Sequence, residues 1–577
     1  MKKTGAWLAR YALEQIGVTH TFGIPGVHNT ELYDELNKSE QVTPVLVTHE
    51  GGGAFMADAI SRSSDHIGTL LIVPAAGVTH AASGIGEAFL DGIPMLVIAG
   101  GIRSDSDYRY QLHDMDQHAL LAPITKGTWK VATHAEVIPT LYAAHQLATS
   151  GEPGPVFVEI PVNIQLDLGE VDELPTYQPA AFSRSVIDDA ELERAAKLLY
   201  EASNPGLFLG WGALGASEHS IAIAERLNAP VATTLQGLSA FPANHPLHTG
   251  MSFGPHSVPA SQQAFADCDC LLAVGTRFGE IATGSYGMPV PEQLVHIDIN
   301  PEALNNNFPA TVALEGDANE ILSRLRQQIE ALAEKPTDNS VRNAIASNKR
   351  AFLDEWFAHD SGDRVNPARF FSGLRQQLDD DAWVVADDGN HTFLTAELMP
   401  IHKVGHFISP TDFNCMGYAV PATTATKLVN PSQQVVGIIG DGAFMMTCME
   451  LVTANSLGTA ALYVVFSDGE LSQIAQAQQI PYNRKTCTVL TGLNLAGVAM
   501  ATGVEYVALN NNDEIDERLQ QALALCDQGR PVILDVRIDY SKSTCFTSGA
   551  VSTNLKRMPL NTKVRMVSRA LWRKITG

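Results

Sequence analysis

The stretch from Val435 to Gln479 constrains this chain more than any other, because it reads as a strand, a helix and a second strand with an acid at the end of each strand. Val435 to Ile439 is a short apolar run of strand type that stops at Gly440-Asp441-Gly442. Phe444, Cys448, Leu451 and Asn455 then recur at helical spacing, and Gly458 is placed to close one continuous helix as its C-cap. Ala461 to Phe466 is the second strand, followed by Ser467-Asp468-Gly469. A right-handed crossover makes the two strands parallel, so Asp441 and Asp468 both emerge at carboxyl ends, where open α/β sheets bind ligands. Two carboxylates there suit a hard cation such as magnesium, which shares its coordination with substrate phosphate oxygens. The helix start at Gly440, Gly442 and Ala443 offers free N–H groups to that phosphate. Taken alone, Gly-Asp-Gly is as readily an ordinary turn; the second acid after one crossover length favours the site.

The rest of the chain repeats this alternation. Residues 1–180 carry an amphipathic helix at Trp7 to Ile16, strands at 42–47, 68–77 and 94–100, and helices starting at Glu50 and Ala81. A Pro-rich acidic linker follows at 165–190, a second alternating region at 190–335, a polar linker with an exposed helix at 331–352, and a third alternating region at 360–545. The expected fold class is α/β, with three doubly wound parallel-sheet domains. A chain of 577 residues has room for them, and 45% apolar with 18% charged residues fits a compact protein. A formal charge of −25 argues against a nucleic-acid surface. The start, MKKTGAWLARYALEQIGV, lacks an apolar run of signal length, and no segment approaches the ~18 apolar residues of a spanning helix. The seven Cys are scattered without paired zinc spacing, so a cytoplasmic protein with reduced thiols is expected.

GDGAFMMTCMELVTA, with an oxygen-bearing residue 27 positions after the first Asp, resembles the metal–diphosphate motif of thiamine-diphosphate enzymes, the group that contains acetohydroxyacid (acetolactate) synthase and pyruvate oxidase. The resemblance runs over nearly the whole chain. It implies a pyrimidine-binding domain at 1–180, a central domain at 190–335, a diphosphate-binding domain at 360–545, and a site shared between subunits of a homodimer or homotetramer. It implies thiamine diphosphate and Mg2+ as cofactors, the metal held by Asp441, Asp468 and the carbonyl of Glu470. Asp468 stands where the family has Asn.

Glu50, at a strand end in HEGGGAFMADA, matches the family Glu that bonds the aminopyrimidine and drives loss of the cofactor's C2 proton. An acid at a helix start is otherwise explained by the macrodipole. The loop from Phe22 to His28, around Pro25-Gly26, is placed as a further cofactor contact. Asn390 and His391 match a diphosphate-touching Gln-His; Asn414 and Met416 match Gly-Thr-Met-Gly, whose Met wedges the cofactor into its bent shape. Two departures put a His where the family has an amide: His80 in Ala75-Ala76-Gly77-Val78-Thr79-His80, where relatives carry Gly-Pro-Gly-Val-Thr-Asn, and His113 before PITK. Both become candidate proton donors or carboxylate binders, against a plain reading as loop histidines. Gln473, on the helix after the metal site, is a candidate substrate hydrogen-bonder, in place of the family's usual acceptor-selecting residues.

The resemblance implies decarboxylation of a pyruvate-like 2-oxo acid with carboligation to an acceptor carbonyl, a lyase or transferase activity. The alternatives are a non-ligating decarboxylase, a flavin-dependent pyruvate oxidase, or a non-catalytic cofactor-binding paralogue. GWGALG, Gly275-Thr276-Arg277-Phe278 and Asp298 are the residues that would hold FAD or another adenine nucleotide. From Lys542 onward the chain carries eight Lys or Arg and no Asp or Glu. This basic tail (546–577) is expected to strap across a subunit, or else to lie on an anionic membrane surface.

Overall fold

A computed structural model describes residues 1–179, 187–333 and 338–576, so the expected boundaries at 180 and 335 fall outside the described residues. Three six-stranded sheets carry the chain, every strand pair within them parallel. The apolar runs read as strands are buried on both faces, as parallel strands between helices must be: Met95–Gly101, Pro155–Pro161, Cys270–Val274 and Leu462–Phe466 are buried throughout.

The first sheet orders its strands 43–46, 20–23, 68–72, 95–101, 155–161, 128–130, and the third orders them 407–408, 383–386, 435–440, 462–466, 532–536, 505–509. Numbered within each domain, both read 2-1-3-4-6-5. The central sheet runs 248–251, 231–233, 205–209, 270–274, 293–298, 312–315, or 3-2-1-4-5-6, the order of dinucleotide-binding folds. Each sheet therefore has one switch point, where consecutive strands depart in opposite directions and leave a crevice beyond their carboxyl ends. These crevices lie between Gly23 and Ile72, between Leu209 and Val274, and between Ala386 and Gly440.

The first and third domains meet across helices Glu50–Ser63 and Ala419–Val429. Arg62 is buried there against Asp58 at 2.7 Å and Asp91 at 2.9 Å, and Tyr418 Oη donates to Asp58 at 2.6 Å. Thr411 N and Cys415 N donate to Glu87, whose carboxyl is pushed up to about 10 chiefly by burial.

Two sequence expectations are corrected. The single helix read from Phe444 to Asn455 is two, Asp441–Thr447 and Glu450–Leu457, with Gly458 in the left-handed conformation after the second. Buried Glu450, the first residue of the second helix, accepts hydrogen bonds from Thr48 and His49 of the first domain. The helix expected from Ala81 begins at Ala76. Ala75 before it adopts φ 55° and ψ −88°, its N–H held by Gln117 Oε1 at 3.2 Å.

The basic tail forms helices Cys545–Arg557 and Leu560–Thr576. The second lies on helix Ser472–Tyr482 of the same chain: Arg569 and Arg573 donate to the carbonyls of Pro481 and Tyr482. Among the described residues no helix is long and apolar enough to cross a membrane.

Candidate active site

At the switch point of the third sheet the chain gathers its acids. Asp441 opens the helix after strand Val435–Gly440, and its Oδ2 accepts from Gly469 N at 2.8 Å and Asp468 N at 3.3 Å. Its Oδ1 accepts from Gly442 N at 2.8 Å. The two strand-end loops are thereby tied together, and Asp468 is delivered next to Asp441. Burial, followed by the Asp441 charge, pushes the Asp468 carboxyl up to about 6 against the bond from Ser472 Oγ; burial also raises Asp441. Two partly buried carboxylates thus stand side by side. Glu470 turns its carboxylate to Lys485 Nζ at 2.6 Å. Among the described residues no group of three or more His, Cys, Asp or Glu is arranged to hold a metal ion.

The opposite wall comes from the neighbouring strand, Trp383–Ala386. Asp387, fully buried and pushed up to about 7 by that burial, accepts from Gly417 N, Ala419 N and Asp388 N, and so pins the Asn414–Tyr418 loop to the strand end. Asn414 takes φ 62° and bonds Asp388, whose carboxyl burial raises to about 6. The Met416 methyl reaches toward Gly442, 3.7 Å from where a Cβ would stand. Asn390 and His391 begin helix Asn390–Leu398, both buried. His391 Nε2 is buried without a partner, and burial lowers that imidazole to about 3. A Cβ on Gly389 or Gly440 would strike the His391 ring, so both glycines are required by close approach. Ala443 is buried behind them.

Glu50 lies in the first domain, at the first turn of its helix and 6% exposed. His80 Nδ1 stands 2.9 Å from Glu50 Oε2, and the His80 ring stacks on His49 at 4.5 Å. His113 does not join them: with φ 69° it pairs with His28, Nδ1 to Nδ1 at 3.3 Å. Pro25-Gly26 forms the turn whose Gly26 N donates to Asn29 Oδ1 at 2.7 Å. Gln473 is half-buried on helix Ser472–Tyr482, beside exposed Ile474.

At the central switch point a cavity of about 420 Å3 opens between all three domains. Gly275, at φ 58°, approaches Gly212 so closely that a Cβ would stand 2.5 Å from its backbone. Asp298, pushed up to about 6 by burial, and Thr234 to Gln236 line the same space, and Arg277 bridges Glu152 and Asp412 across it.

Comparison with known proteins decides the family. Models of the thiamine pyrophosphate enzymes match in chain order: the N-terminal TPP-binding domain over residues 2–120, the central domain over 192–325 and the C-terminal TPP-binding domain over 387–536. The chain belongs to the thiamine pyrophosphate enzymes. Among its relatives is the probable acetolactate synthase large subunit of Methanocaldococcus jannaschii, 30% identical over 92% of this chain and 91% of the relative. The acetolactate synthase large subunit of Corynebacterium glutamicum is also 30% identical, over 92% and 86%. The isozyme 3 large subunit of Escherichia coli is 28% identical over 93% and 95%. This is therefore a thiamine pyrophosphate enzyme of acetolactate synthase type.

For this thiamine pyrophosphate enzyme the residues present fit both cofactors: an unsatisfied His391 Nε2 and glycine-lined backbone for a diphosphate, an uncompensated acid pair for a cation. Sequence reading missed Asp387, Glu450, Arg364, Arg537 and Tyr540. Arg364 and Arg537 line a cavity of about 180 Å3 with Asp441 and Asp468, and Tyr540, its buried Oη unpartnered, lines one of about 500 Å3 with Asp468. The Asp387-Asp388 doublet at a strand end was a visible signal for the first; the others come from segments distant in sequence.

Proposed function

We propose that this enzyme decarboxylates a 2-oxo acid of pyruvate type and joins the remaining fragment to an acceptor carbonyl, as the names of its relatives suggest. The observation that carries the reading is Glu50, a shielded carboxylate at a helix start with an imidazole 2.9 Å from one oxygen. Thiamine diphosphate, when bound, supplies an electron sink for the bonding pair released as CO2 leaves. Glu50 Oε1, the oxygen His80 does not occupy, holds or moves a proton at the aminopyrimidine edge of the cofactor, and His80 steadies that carboxylate. Asp441, Asp468 and the Glu470 carbonyl hold Mg2+; Asn390, His391 and the N–H groups from Gly440 to Ala443 hold the diphosphate; Asn414 and Met416 shape its seat. Gln473 and His113 line the substrate approach.

The same reading places the pyrimidine-binding domain at 1–180, the central domain at 190–335, the diphosphate-binding domain at 360–545 and the tail at 546–577, in a cytoplasmic enzyme. Both cavities that Asp468 lines lack any residue before Arg364, and Met445, Met446 and Met449 stand exposed beside the metal half-site. These facts support a homodimer or tetramer in which one copy's Glu50 meets another copy's Asp441. Mixing the inactive Glu50→Gln and Asp441→Ala proteins then restores activity in heterodimers.

The deciding experiment is a product NMR spectrum of the protein with thiamine diphosphate, Mg2+ and pyruvate: acetolactate or acetoin supports the proposal, and unchanged pyruvate refutes pyruvate as donor. The central cavity favours a second reading, a flavin-dependent 2-oxo acid oxidase, because the glycine approach and the strand-end Asp298 fit the adenosine diphosphate half of FAD. A yellow chromophore on the purified protein, with acetate as product, identifies that activity.

A further inference from the structure

Away from both half-sites, the central domain, helix Ser340–Phe357 and the third domain enclose a cavity of about 170 Å3. Its wall is mostly apolar, with Leu238, Val258, Phe352, Leu398, Met399 and Ile401, but Lys349 and His248 also line it. Lys349 Nζ lies 3.3 Å from His248 Nδ1 and 3.4 Å from the Ala243 carbonyl, and among the described residues it has no carboxylate at ion-pair distance. An ammonium only donates, so His248 Nδ1 accepts and the ring proton sits on Nε2. His248 is 5% exposed, and that Nε2 is buried with no partner. One end of the cavity thus carries a buried ammonium whose neighbours, the Ala243 carbonyl and His248 Nδ1, are both neutral. Burial pushes the Lys349 amine down to about 8, as expected of an ammonium without a counter-charge. The acid in the wall, Glu397, is already engaged by the N–H groups of Cys545 and Phe546 at 3.1 and 2.9 Å.

A buried cation without a counter-charge beside an apolar void is completed by an anion with an aliphatic tail. We propose that this cavity binds a small branched aliphatic monocarboxylate, its carboxylate on Lys349 Nζ and its alkyl group among Leu398, Met399 and Ile401. The site touches catalysis through one rigid element. Helix Asn390–Leu398 ends at the cavity and begins, about 12 Å away, at the diphosphate contacts Asn390 and His391.

The test is calorimetric titration of the full-length protein, loaded with thiamine diphosphate and Mg2+, with 3-methylbutanoate. Lys349→Met removes the charge at similar length, and Ala396→Leu fills the void while keeping the charge. The expected result is one molecule per chain in the parent, at least tenfold weaker binding in each variant, and at least tenfold weaker binding of the uncharged 3-methylbutanamide. Either variant suffices if the other fails to fold. Absence of saturable binding to the parent, or binding that the folded variants retain, overturns the proposal, the latter by placing the carboxylate elsewhere, such as the catalytic half-sites.

Discussion

The imidazole of His80 sits 2.9 Å from Glu50 Oε2 and leaves the second carboxylate oxygen without a contact from that ring. If Glu50 moves a proton at the cofactor, Glu50→Gln keeps the shape and loses the base. Turnover should fall by about 10^2- to 10^4-fold, the usual worth of one positioned acid–base group, with cofactor affinity little changed. Steady-state rates together with a cofactor titration check both halves.

Asp441 joins the two strand-end loops, and in the proposed site it is one of two carboxylates that hold Mg2+. Asp441→Ala should weaken Mg2+-dependent cofactor binding by at least about 100-fold, whereas Asp468→Asn, which keeps an oxygen ligand and removes a like charge, should retain binding near the parent value. Fluorescence titration of the tryptophans with cofactor distinguishes the two. Equal loss in both variants would sink the assignment.

Ala75 pays for a backbone conformation that glycine adopts freely, at φ 55° and ψ −88°. Ala75→Gly should raise stability by about 1 kcal/mol, because relief of the left-handed clash outweighs the added freedom of the unfolded chain. A urea midpoint that shifts upward at unchanged slope is the expected observation.

Glu450 accepts from Thr48 N, Thr48 Oγ1, His49 N and Thr453 Oγ1 while 1% exposed. Glu450→Ala strands these donors between two domains and should cost about 3 kcal/mol. Faster hydrogen exchange at residues 48–53 in the variant shows where the loss falls.

Lys349 sets a pH dependence of stability. Its folded value of about 8 lies below the ordinary ~10.4, so between these values the unfolded chain binds the extra proton and stability rises with pH. Glu397, pushed up to about 7 by burial, acts in the opposite sense but over a lower window, losing stability as pH rises from about 4 to 7. His248 is held well below its ordinary value by burial, so it adds nothing between pH 8 and 10. Lys349→Met should therefore lack the rise between pH 8 and 10, measured as the difference between parent and variant urea midpoints.

Much of this enzyme is legible without coordinates. Buried parallel strands read as unbroken apolar runs, and acids or glycines at their ends mark the crevices, so the three sheets, Asp441 and Asp468 follow from local pattern. What escaped were relations set by side chains meeting across domains. Periodicity read one helix from Phe444 to Asn455, because the two break residues Cys448 and Met449 keep helical dihedrals, and nothing local records that Glu450 meets Thr48 from 402 positions away. Ala75 reads as the end of a strand over 68–77, whereas the strand stops at Ile72 and Ala75 turns into the helix with its N–H on Gln117 from another segment. His80 and His113 were equivalent as sequence departures; the fold gave one to Glu50 and the other to His28. The sequence by itself determined which segments are strands and helices and which strand ends carry charge, since hydrophobic period and turn chemistry act within a few residues. Only the tertiary structure decided which of those ends face each other, because that depends on strand order and on buried polar groups finding partners at long range.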